Sequence, residues 1–410
     1  MMKKDIDALM EKHQIDALLI TGPAGHNPPM QYFTGNVHIG HGDLIKKRGE
    51  EPVLFCNPME REEAARSGIE IKNLAEYRLS ELMKEVDNDP AKATALRYKK
   101  MFSDISLTSG KLSIYGLQEA GQAYRIFNEL KAILPDIEII GEMGHSVLSQ
   151  AMETKDEDEA KHLRHMGKVT TEIVGRVQKF IQSHKSKDGV VVKTDGTPLT
   201  IGDVKSKINL WAAELDVENP HGTIFAIGAD SGVPHNGGNP TDKLELGKTI
   251  VFDIFLQQAG GGYHSDFTRT WCLGYAPEAE QKLYDDVRKV FDNIMEGLEL
   301  NAPFAPMQAL TCQMFEDLGH ETIRQNPMIT EGYVHSLGHG LGLRIHEAPG
   351  ARDEKAFFKT GVAVTIEPGL YYPSKGMGSR IEDTVYVNQE GTIELLTDYP
   401  YDLVIPIEEA

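Results

Sequence analysis

The sequence predicts a two-domain α+β protein: a smaller α/β domain, residues 1–152, followed by a larger α+β domain, residues 153–410. Three observations support this division. A chain of 410 residues is longer than one ordinary domain. Its first part alternates helix and strand signals, as an α/β layer does. After the polar run 152–165, long amphipathic helical stretches alternate with hairpin-like strands, which indicates helices over an antiparallel sheet.

Hydrophobic periodicity predicts the elements of the first domain in order. Apolar residues at 6, 9 and 10 outline a short helix, and a buried strand follows at 16–22. Strand and helix signals then recur in pairs: 53–58 with 60–67, and 111–116 with 122–134, before a last strand at 136–142. No glycine-rich phosphate loop opens any of these helices, so a nucleotide site is not indicated.

In the second domain the clearest helical stretches are 159–184 and 277–298. The segment 185–214 is rich in Gly, Lys and Asp, and we interpret it as an inserted surface excursion. Two β-rich runs containing Asp253 and Asp266 predict a hairpin.

Composition narrows the classes of partner. The 42 basic and 62 acidic residues give a net charge of −20, which argues against nucleic acid or an anionic membrane as a partner. Three widely spaced cysteines indicate neither a disulfide framework nor a metal site. No stretch reaches the ~18 apolar residues of a membrane span. The cytoplasm is therefore the expected compartment.

Three histidines and a glutamate fall within the thirteen residues 335–347, among small and apolar residues that we interpret as a buried strand. Histidine binds metals and moves protons near neutral pH. Taken singly, however, a histidine in a core strand is more often a hydrogen-bonded interior residue. The choice between these interpretations depends on the acidic residues elsewhere in the domain.

Four carboxylates occupy apolar, strand-like surroundings: Asp253, Asp266, Glu367 and Glu382. Each alone is explained by a structural role, such as an ion pair or a cap at a strand end, as well as by a functional one. Together with a histidine, they would repel one another unless a cation lay among them. A pair of divalent metal ions supplies that charge, and bridging carboxylates are the usual ligands of such pairs.

These residues resemble the metallopeptidase family that includes aminopeptidase P, prolidase and methionine aminopeptidase. The family's five ligand positions match Asp253, Asp266, His339, Glu367 and Glu382, within the blocks SDFTRT, LGHGLGL, IEPGLY and RIEDT. The resemblance implies a C-terminal pita-bread catalytic domain, of the creatinase/aminopeptidase type, preceded by an α/β creatinase-N-like domain.

One departure from the family pattern lies in the predicted hairpin. The family usually separates its two aspartates by eleven positions, whereas thirteen separate them here, and Phe255 replaces an expected glycine. Because side chains along a strand alternate with a period of two, two extra residues leave both aspartates on the same face.

The proline-specific branch of the family also has a histidine four positions before the ligand histidine and another seven after it, which match His335 and His346. His235 matches a further substrate-side histidine. The resemblance implies an exopeptidase with two divalent ions that cleaves the bond between an N-terminal residue and a following proline through a metal-bridged hydroxide. Glu367 would be the general base, with His235 and His346 stabilising the oxyanion and His335 lining the wall for the second residue.

Several alternatives stay open at this point. Manganese is the expected metal, with cobalt, iron or zinc as alternatives. The substrate is a dipeptide or a longer chain with proline second, and Arg352 or Arg380 would clamp a dipeptide's carboxylate. For Arg380 we favour a structural role beside the ligand carboxylates. The family implies a homodimer. The rival functions are a non-catalytic peptide-binding pseudo-peptidase and a creatinase-like amidinohydrolase, and the intact ligand set disfavours both.

Overall fold

The computed structural model describes residues 5–410, which divide into two compact units. The smaller unit contains the described residues up to Met152 together with Gly260–Gly262. The larger unit contains Glu153–Ala259 and Tyr263–Ala410.

The smaller unit is a mixed sheet with helices on both faces. Its helices are α1 Ile6–Lys12, α2 Pro28–Thr34, α3 Arg61–Ala65, α4 Leu79–Glu85, α5 Pro90–Asp104, α6 Ala120–Ile133 and α7 Val147–Glu153. Its strands are β1 Ala17–Gly22, β2 Gly42–Lys47, β3 Val53–Cys56, β4 Glu70–Asn73, β5 Gly110–Gly116 and β6 Ile137–Ile140.

Strand β1 lies at the centre of this sheet, whose order among the described residues is β4-β3-β2-β1-β5-β6. It pairs antiparallel with β2 and parallel with β5. All six of its residues are buried, because alternate side chains enter two different cores: Leu18 and Ile20 one, Leu19 the other. A strand covered on both faces reads as a continuous apolar run, which is why the sequence predicts it well.

The larger unit contains longer helices and short, mostly antiparallel strands. Its helices are α8 Glu157–Gln182, α9 Ile201–Glu214, α10 Glu278–Glu296 and α11 Phe304–Asp317. Its strands are β7 Lys185–Lys187, β8 Val190–Val192, β9 Val217–Glu218, β10 Thr223–Ile227, β11 Thr249–Ile254, β12 Gln257–Gln258, β13 Phe267–Leu273, β14 His339–Gly340, β15 Glu347–Gly350, β16 Ala363–Ile366, β17 Gly369–Tyr372, β18 Met377–Arg380, β19 Asp383–Val387, β20 Ile393–Leu395, β21 Val404–Ile405 and β22 Glu408–Glu409.

Two sheets of this unit position the site. One has the order β10-β11-β13-β21, and helices α8 and α9 pack with it in one hydrophobic core. The other has the order β15-β14-β16-β19-β20 and shares a second core with α10 and α11. An isolated antiparallel bridge between Thr268 and Glu382 joins the two sheets. The start of α8 is fixed by a capping box, in which Asp156 and Glu159 each accept a hydrogen bond from the other's backbone N–H.

A buried arginine ties the joined sheets together. The guanidinium of Arg269 donates to Asp383 Oδ1 at 3.1 Å and to the backbone carbonyls of Thr268, Glu382, Tyr399 and Pro400. It also lies over the ring of Tyr401, with 4.1 Å from Cζ to the ring centroid. Both partners of the Arg269–Asp383 pair are almost fully buried, at 1% and 0% side-chain exposure. The positive charge of Arg269 is thus matched within the protein.

Two sequence-based interpretations are wrong. The segment 185–214 is no surface excursion, since it forms β7, β8 and α9, and α9 buries Ile201, Val204 and Ile208 in the core. The run 335–347 is not one strand, because only His339–Gly340 and the first residue of β15 are extended and paired. The pairing shifts register between His339 and Gly340, and residues 342–346 form bends. Along the described part of the chain, no helix combines the length and apolar character needed to cross a membrane.

Candidate active site

The larger unit encloses a cavity of about 900 Å³. It is lined by nine of the ten residues that the sequence singles out: His235, Asp253, Asp266, His335, His339, His346, Glu367, Arg380 and Glu382. Arg352 is the exception. It is exposed and does not line the cavity, although its charge contributes to lowering the pKa of His335.

The two aspartates reach the cavity from the predicted hairpin. Strands β11 and β13 pair antiparallel, with Asp253 opposite Thr268. Asp266 lies two residues before Thr268, so both acids project from the same face despite the lengthened connection. The structure therefore brings Asp253 and Asp266 together. In the connection, β12 pairs with β9, and Gly260–Gly262 belongs to the smaller unit.

The other three predicted ligands come from the second sheet. His339 begins β14, Glu367 directly follows β16, and Glu382 directly precedes β19. The approach of β14 to β16 requires Gly338, because a Cβ there would lie 1.9 Å from the carbonyl oxygen of Thr365. The neighbouring backbone N–H of His339 donates to Thr365 Oγ1 at 3.2 Å.

Three side chains form a compact group with metal-ligand geometry. One ligand atom from each of Asp266, His339 and Glu382 lies within 4.8 Å of the other two. His339 Nε2 is 3.5 Å from Asp266 Oδ2 and 3.6 Å from Glu367 Oε1. Burial lowers the pKa of His339 to about 4, so its imidazole is neutral and able to coordinate a metal at neutral pH.

The carboxylates are held close together in a poorly solvated place. Burial raises the pKa of Glu367 to about 8, and the charge of Asp253 adds to the effect. Burial also raises the pKa of Asp266 and of Glu382 well above its usual range, and their acidic neighbours reinforce both shifts. When these carboxylates are ionised, their negative charge is therefore not balanced by positive charges of the protein itself.

Asp253 is also incompletely hydrogen-bonded. Its Oδ2 accepts from Arg380 Nη2 at 2.5 Å, but its buried Oδ1 has no hydrogen-bond partner among residues 5–410. Glu382 differs, because Thr268 Oγ1 donates to its Oε2 at 2.8 Å. An unsatisfied carboxylate oxygen aimed into a group of acids and a neutral imidazole fits divalent metal ions, so the residues present suit such a cofactor.

Arg380 begins a chain of buried hydrogen bonds that the sequence does not reveal. Its Nη1 donates to the hydroxyl of Tyr371 at 2.6 Å, and that hydroxyl lies 2.8 Å from His335 Nε2. Because the carbonyl of Ser336 only accepts, Nδ1–H of His335 donates to it at 2.8 Å. In a neutral ring Nε2 is then an acceptor, so the hydroxyl of Tyr371 donates to it. Burial, aided by Arg380, lowers the pKa of His335 to about 3. His335 is therefore a neutral wall residue with both ring nitrogens engaged.

Further histidines line the same cavity. The ring of His346 meets that of His339 edge-on, with 4.3 Å between centroids. Burial lowers the pKa of His346, and His235 and His221 lower it further. His221 lines the cavity and lies near Phe255, at 6.4 Å between centroids. Sequence reasoning missed His221, which lies in the loop leading into β10 outside the motifs.

A buried ion pair anchors the loop that carries His346. Lys155 Nζ lies 3.0 Å from Glu347 Oε2, with side-chain exposures of 1% and 3%. Glu347 Oε1 also accepts from the backbone N–H of Arg344 at 2.9 Å. The pair therefore couples the start of the larger unit to the histidine loop.

Replacing Lys155 with methionine is expected to lower the free energy of unfolding by about 3–5 kcal/mol, because it leaves the Glu347 carboxylate buried without a cation. Urea denaturation measures the change. The matched control is Lys161→Met, whose pair with Asp158 is exposed and is expected to contribute little to stability. The double variant Lys155→Met/Glu347→Gln should recover part of the loss. Equal stability of the two single variants would contradict this account.

The fold and this buried group of acids around a histidine define a metal-binding hydrolase architecture, and comparison with known proteins identifies the family. The profile of metallopeptidase family M24 matches residues 161–389, and that of the creatinase/prolidase N-terminal domain matches residues 3–141. The chain belongs to metallopeptidase family M24. The predictions of the family and of a creatinase-type domain followed by a pita-bread domain are confirmed.

Relatives span the whole chain. The chain is 25% identical over 408 residues to the Xaa-Pro dipeptidase of Pyrococcus furiosus, covering 96% of this chain and 98% of the relative. Among solved structures, it resembles the prolidase from Pyrococcus horikoshii with a TM-score of 0.71 and 22% identity, over 98% of this chain and 99% of that one. The X-Pro aminopeptidase from Thermotoga maritima gives a TM-score of 0.71 and 19% identity, over 98% and 99%. These two structural likenesses concern the fold.

Proposed function

We propose that this protein is a dinuclear-metal-dependent exopeptidase that hydrolyses the bond between an N-terminal residue and a following proline. The observation that carries the proposal is the buried group of four carboxylates and a neutral imidazole, whose ionised forms lack sufficient positive charge in the protein itself. Structural carboxylates are normally paired, so such a deficit is typical of a metal centre.

The residues proposed to hold two divalent ions are Asp253, Asp266, His339, Glu367 and Glu382. Metal ions bound there lower the pKa of a water molecule and polarise a carbonyl oxygen. An oxygen-rich set with one imidazole favours manganese, with cobalt, iron or zinc as alternatives. Arg380 supports the set by fixing the orientation of Asp253 through Nη2.

Glu367 is the proposed general base. It accepts the proton of the attacking water and delivers it to the nitrogen of the leaving group. Its raised pKa, to about 8 without other cations, shows a carboxylate in surroundings that strongly favour its protonated form. That environment suits a group that must take up and release a proton within one turnover.

The histidines are proposed to act on the substrate. His346, with its lowered pKa, is neutral at neutral pH and offers one N–H to the oxygen of the scissile carbonyl. His235 is exposed at the cavity and is proposed to share that role. His335 is proposed to line the pocket for the proline ring, as a surface with no free N–H.

The substrate is proposed to be an Xaa-Pro dipeptide, with longer chains as the alternative. The relative in Pyrococcus furiosus, similar along nearly its whole length, is an Xaa-Pro dipeptidase. Arg352 does not line the cavity, and Arg380 is bonded to Asp253. We therefore propose neither arginine as the cation that binds the free carboxylate of a dipeptide. The proposal also includes a homodimer, on the resemblance alone, and a cytoplasmic location, on the cysteine usage and the composition of the sequence.

The test is to remove metal with a chelator, dialyse, add manganese back, and measure release of alanine from Ala-Pro and Ala-Pro-Ala. We expect hydrolysis that depends on added metal, with Ala-Pro preferred and Ala-Ala resistant. Creatine is included to detect amidinohydrolase activity. Failure to cleave any proline peptide at any metal concentration would refute the proposal, and peptide binding without cleavage would favour a pseudo-peptidase.

A further inference from the structure

One part of the cavity wall is polar and lies outside the proposed metal and histidine positions. It is formed by Lys205 and Asn209 on α9, and by Asn219 and Thr223 at the entry to β10. Since Ile224 in β10 pairs with Asp253 in β11, this wall directly adjoins the carboxylate group. A bound peptide that reaches Asp253 therefore lies within reach of these side chains.

Lys205 is the feature of this wall that points to a ligand. Its Nζ donates to the carbonyl oxygen of Gly237 at 2.5 Å, which uses one of its three N–H donors. Across residues 5–410, no carboxylate oxygen lies within 4.0 Å of this ammonium. Partial burial also lowers the pKa of Lys205, with no opposing charge to offset it. A desolvated ammonium with spare donors facing a cavity is built to receive an anion.

The neighbouring amides add a hydrogen-bond acceptor to this wall. Asn219 Nδ2 donates to Asn209 Oδ1 and to Thr223 Oγ1, each at 3.0 Å. Its Oδ1 is buried and has no hydrogen-bond partner in the part of the chain that the structure describes. The wall thus holds a cationic donor, which suits a carboxylate, and an unsatisfied acceptor, which suits an N–H group of a peptide.

Arg380 also lines the cavity, but its contacts differ from those of Lys205. The guanidinium of Arg380 already donates to Asp253, Tyr371, Thr268 and the carbonyl of Pro234, and it is almost completely buried, with 3% side-chain exposure. Lys205 instead lies on the wall that carries His235, because Gly237 belongs to the same loop. Of the two, Lys205 is the one placed to meet the substrate.

We propose that Lys205 is a specificity-determining residue that binds a carboxylate of the peptide substrate. The inference rests on the proposed function and deepens it. The carboxylate has two possible sources, the acidic side chain of the first residue or the free C-terminal carboxylate of a dipeptide. Either would form a charge-assisted hydrogen bond with Nζ in place of water.

The test compares Lys205→Met with Lys207→Met, a control on the same helix whose ammonium lies over the ring of Phe180, 5.7 Å from its centroid. The substrates are Glu-Pro, Ala-Pro and Ala-Pro-amide. Loss of one charged hydrogen bond is expected to raise KM about 10- to 100-fold. A rise confined to Glu-Pro identifies the side chain of the first residue. A rise for both dipeptides, but not for the amide, identifies the C-terminal carboxylate.

Two further measurements separate this inference from its rivals. Lys205→Arg, which keeps the charge, should restore most of the lost KM, and thermal melts check that each variant is folded. A uniform loss of kcat on all three peptides would show that Lys205 only balances the acidic cluster, and would overturn the inference. So would an unchanged KM in Lys205→Met.

Binding distinguishes a failure of this inference from a failure of the proposed function. Calorimetry on the manganese-treated protein uses reduced-bond analogues of the three peptides, in which a methylene replaces the scissile carbonyl. Weaker binding of the carboxylate-bearing analogues to Lys205→Met, without hydrolysis of any peptide by the wild type, would support the inference and refute the function. Hydrolysis without any effect of Lys205→Met on binding would refute the inference and support the proposed function.

Discussion

Replacing Glu367 with glutamine is expected to lower kcat on Ala-Pro by about 10²–10⁴-fold, the usual contribution of a general base. Glutamine keeps the size and one oxygen of the side chain but neither accepts a proton at neutral pH nor binds metal as an anion. Because the substitution leaves His335, His346 and Lys205 in place, KM should change far less than kcat. Steady-state kinetics with saturating manganese separates the two parameters.

The matched control is Glu354→Gln, an exposed position with the same chemical change. It is expected to retain full activity and stability. Metal content measured after gel filtration shows whether Glu367→Gln also weakens metal binding. A variant with unchanged kcat at full metal loading would exclude Glu367 as the base.

The metal-free protein is expected to lose stability as pH rises from about 4.5 to about 8. The Glu367 carboxyl has an ordinary pKa of 4.5 when unfolded and about 8 when folded, because burial opposes its ionisation. Between these values the folded chain binds more protons than the unfolded chain, so the free energy of unfolding falls with rising pH. At about 1.4 kcal/mol per unit, Glu367 alone lowers it by roughly 3–5 kcal/mol. The shifts of Asp266 and Glu382 act in the same direction.

Denaturant titrations at pH 5, 6.5 and 8.5, with chelator or with manganese, measure this dependence. Manganese should stabilise the protein most at pH 8.5, where its ligands are deprotonated and their repulsion is strongest. Glu367→Gln should flatten the profile of the metal-free protein, since glutamine does not titrate. A metal-free protein that is more stable at pH 8.5 than at pH 5 would contradict the shifts.

The sequence singles out the carboxylates because their surroundings are unusual. An acid such as Asp253 inside an apolar strand has few explanations, and hairpin periodicity then fixes which face it shares with Asp266. Strand β1 is equally clear, as a continuous apolar run. By contrast, β2 escapes prediction because it buries Asp43 and Lys46, whose partners are distant in sequence: Tyr98 donates to Asp43 Oδ1, and Lys46 pairs with Asp7.

The parts of the site that the sequence leaves unpredicted depend on contacts between distant segments. Tyr371 looks like a core tyrosine until Arg380 and His335 are placed beside it. Lys205 lies in a segment whose turn-rich start predicts a surface loop. Yet Ile201, Val204 and Ile208 recur at helical spacing, a pattern that indicates a buried helix face. The glycines around His339 resemble strand residues, although they serve the close approach of two backbones.

The pairing of Arg269 with Asp383 has a consequence for how the enzyme matures. The adjacent residues Glu382 and Asp383 differ in their surroundings. Asp383 forms an ion pair with Arg269, whereas Glu382 lines the cavity. The sheet junction is therefore complete as soon as the chain has folded. This contact between the sheets therefore does not depend on metal, and it can form before any ion is bound.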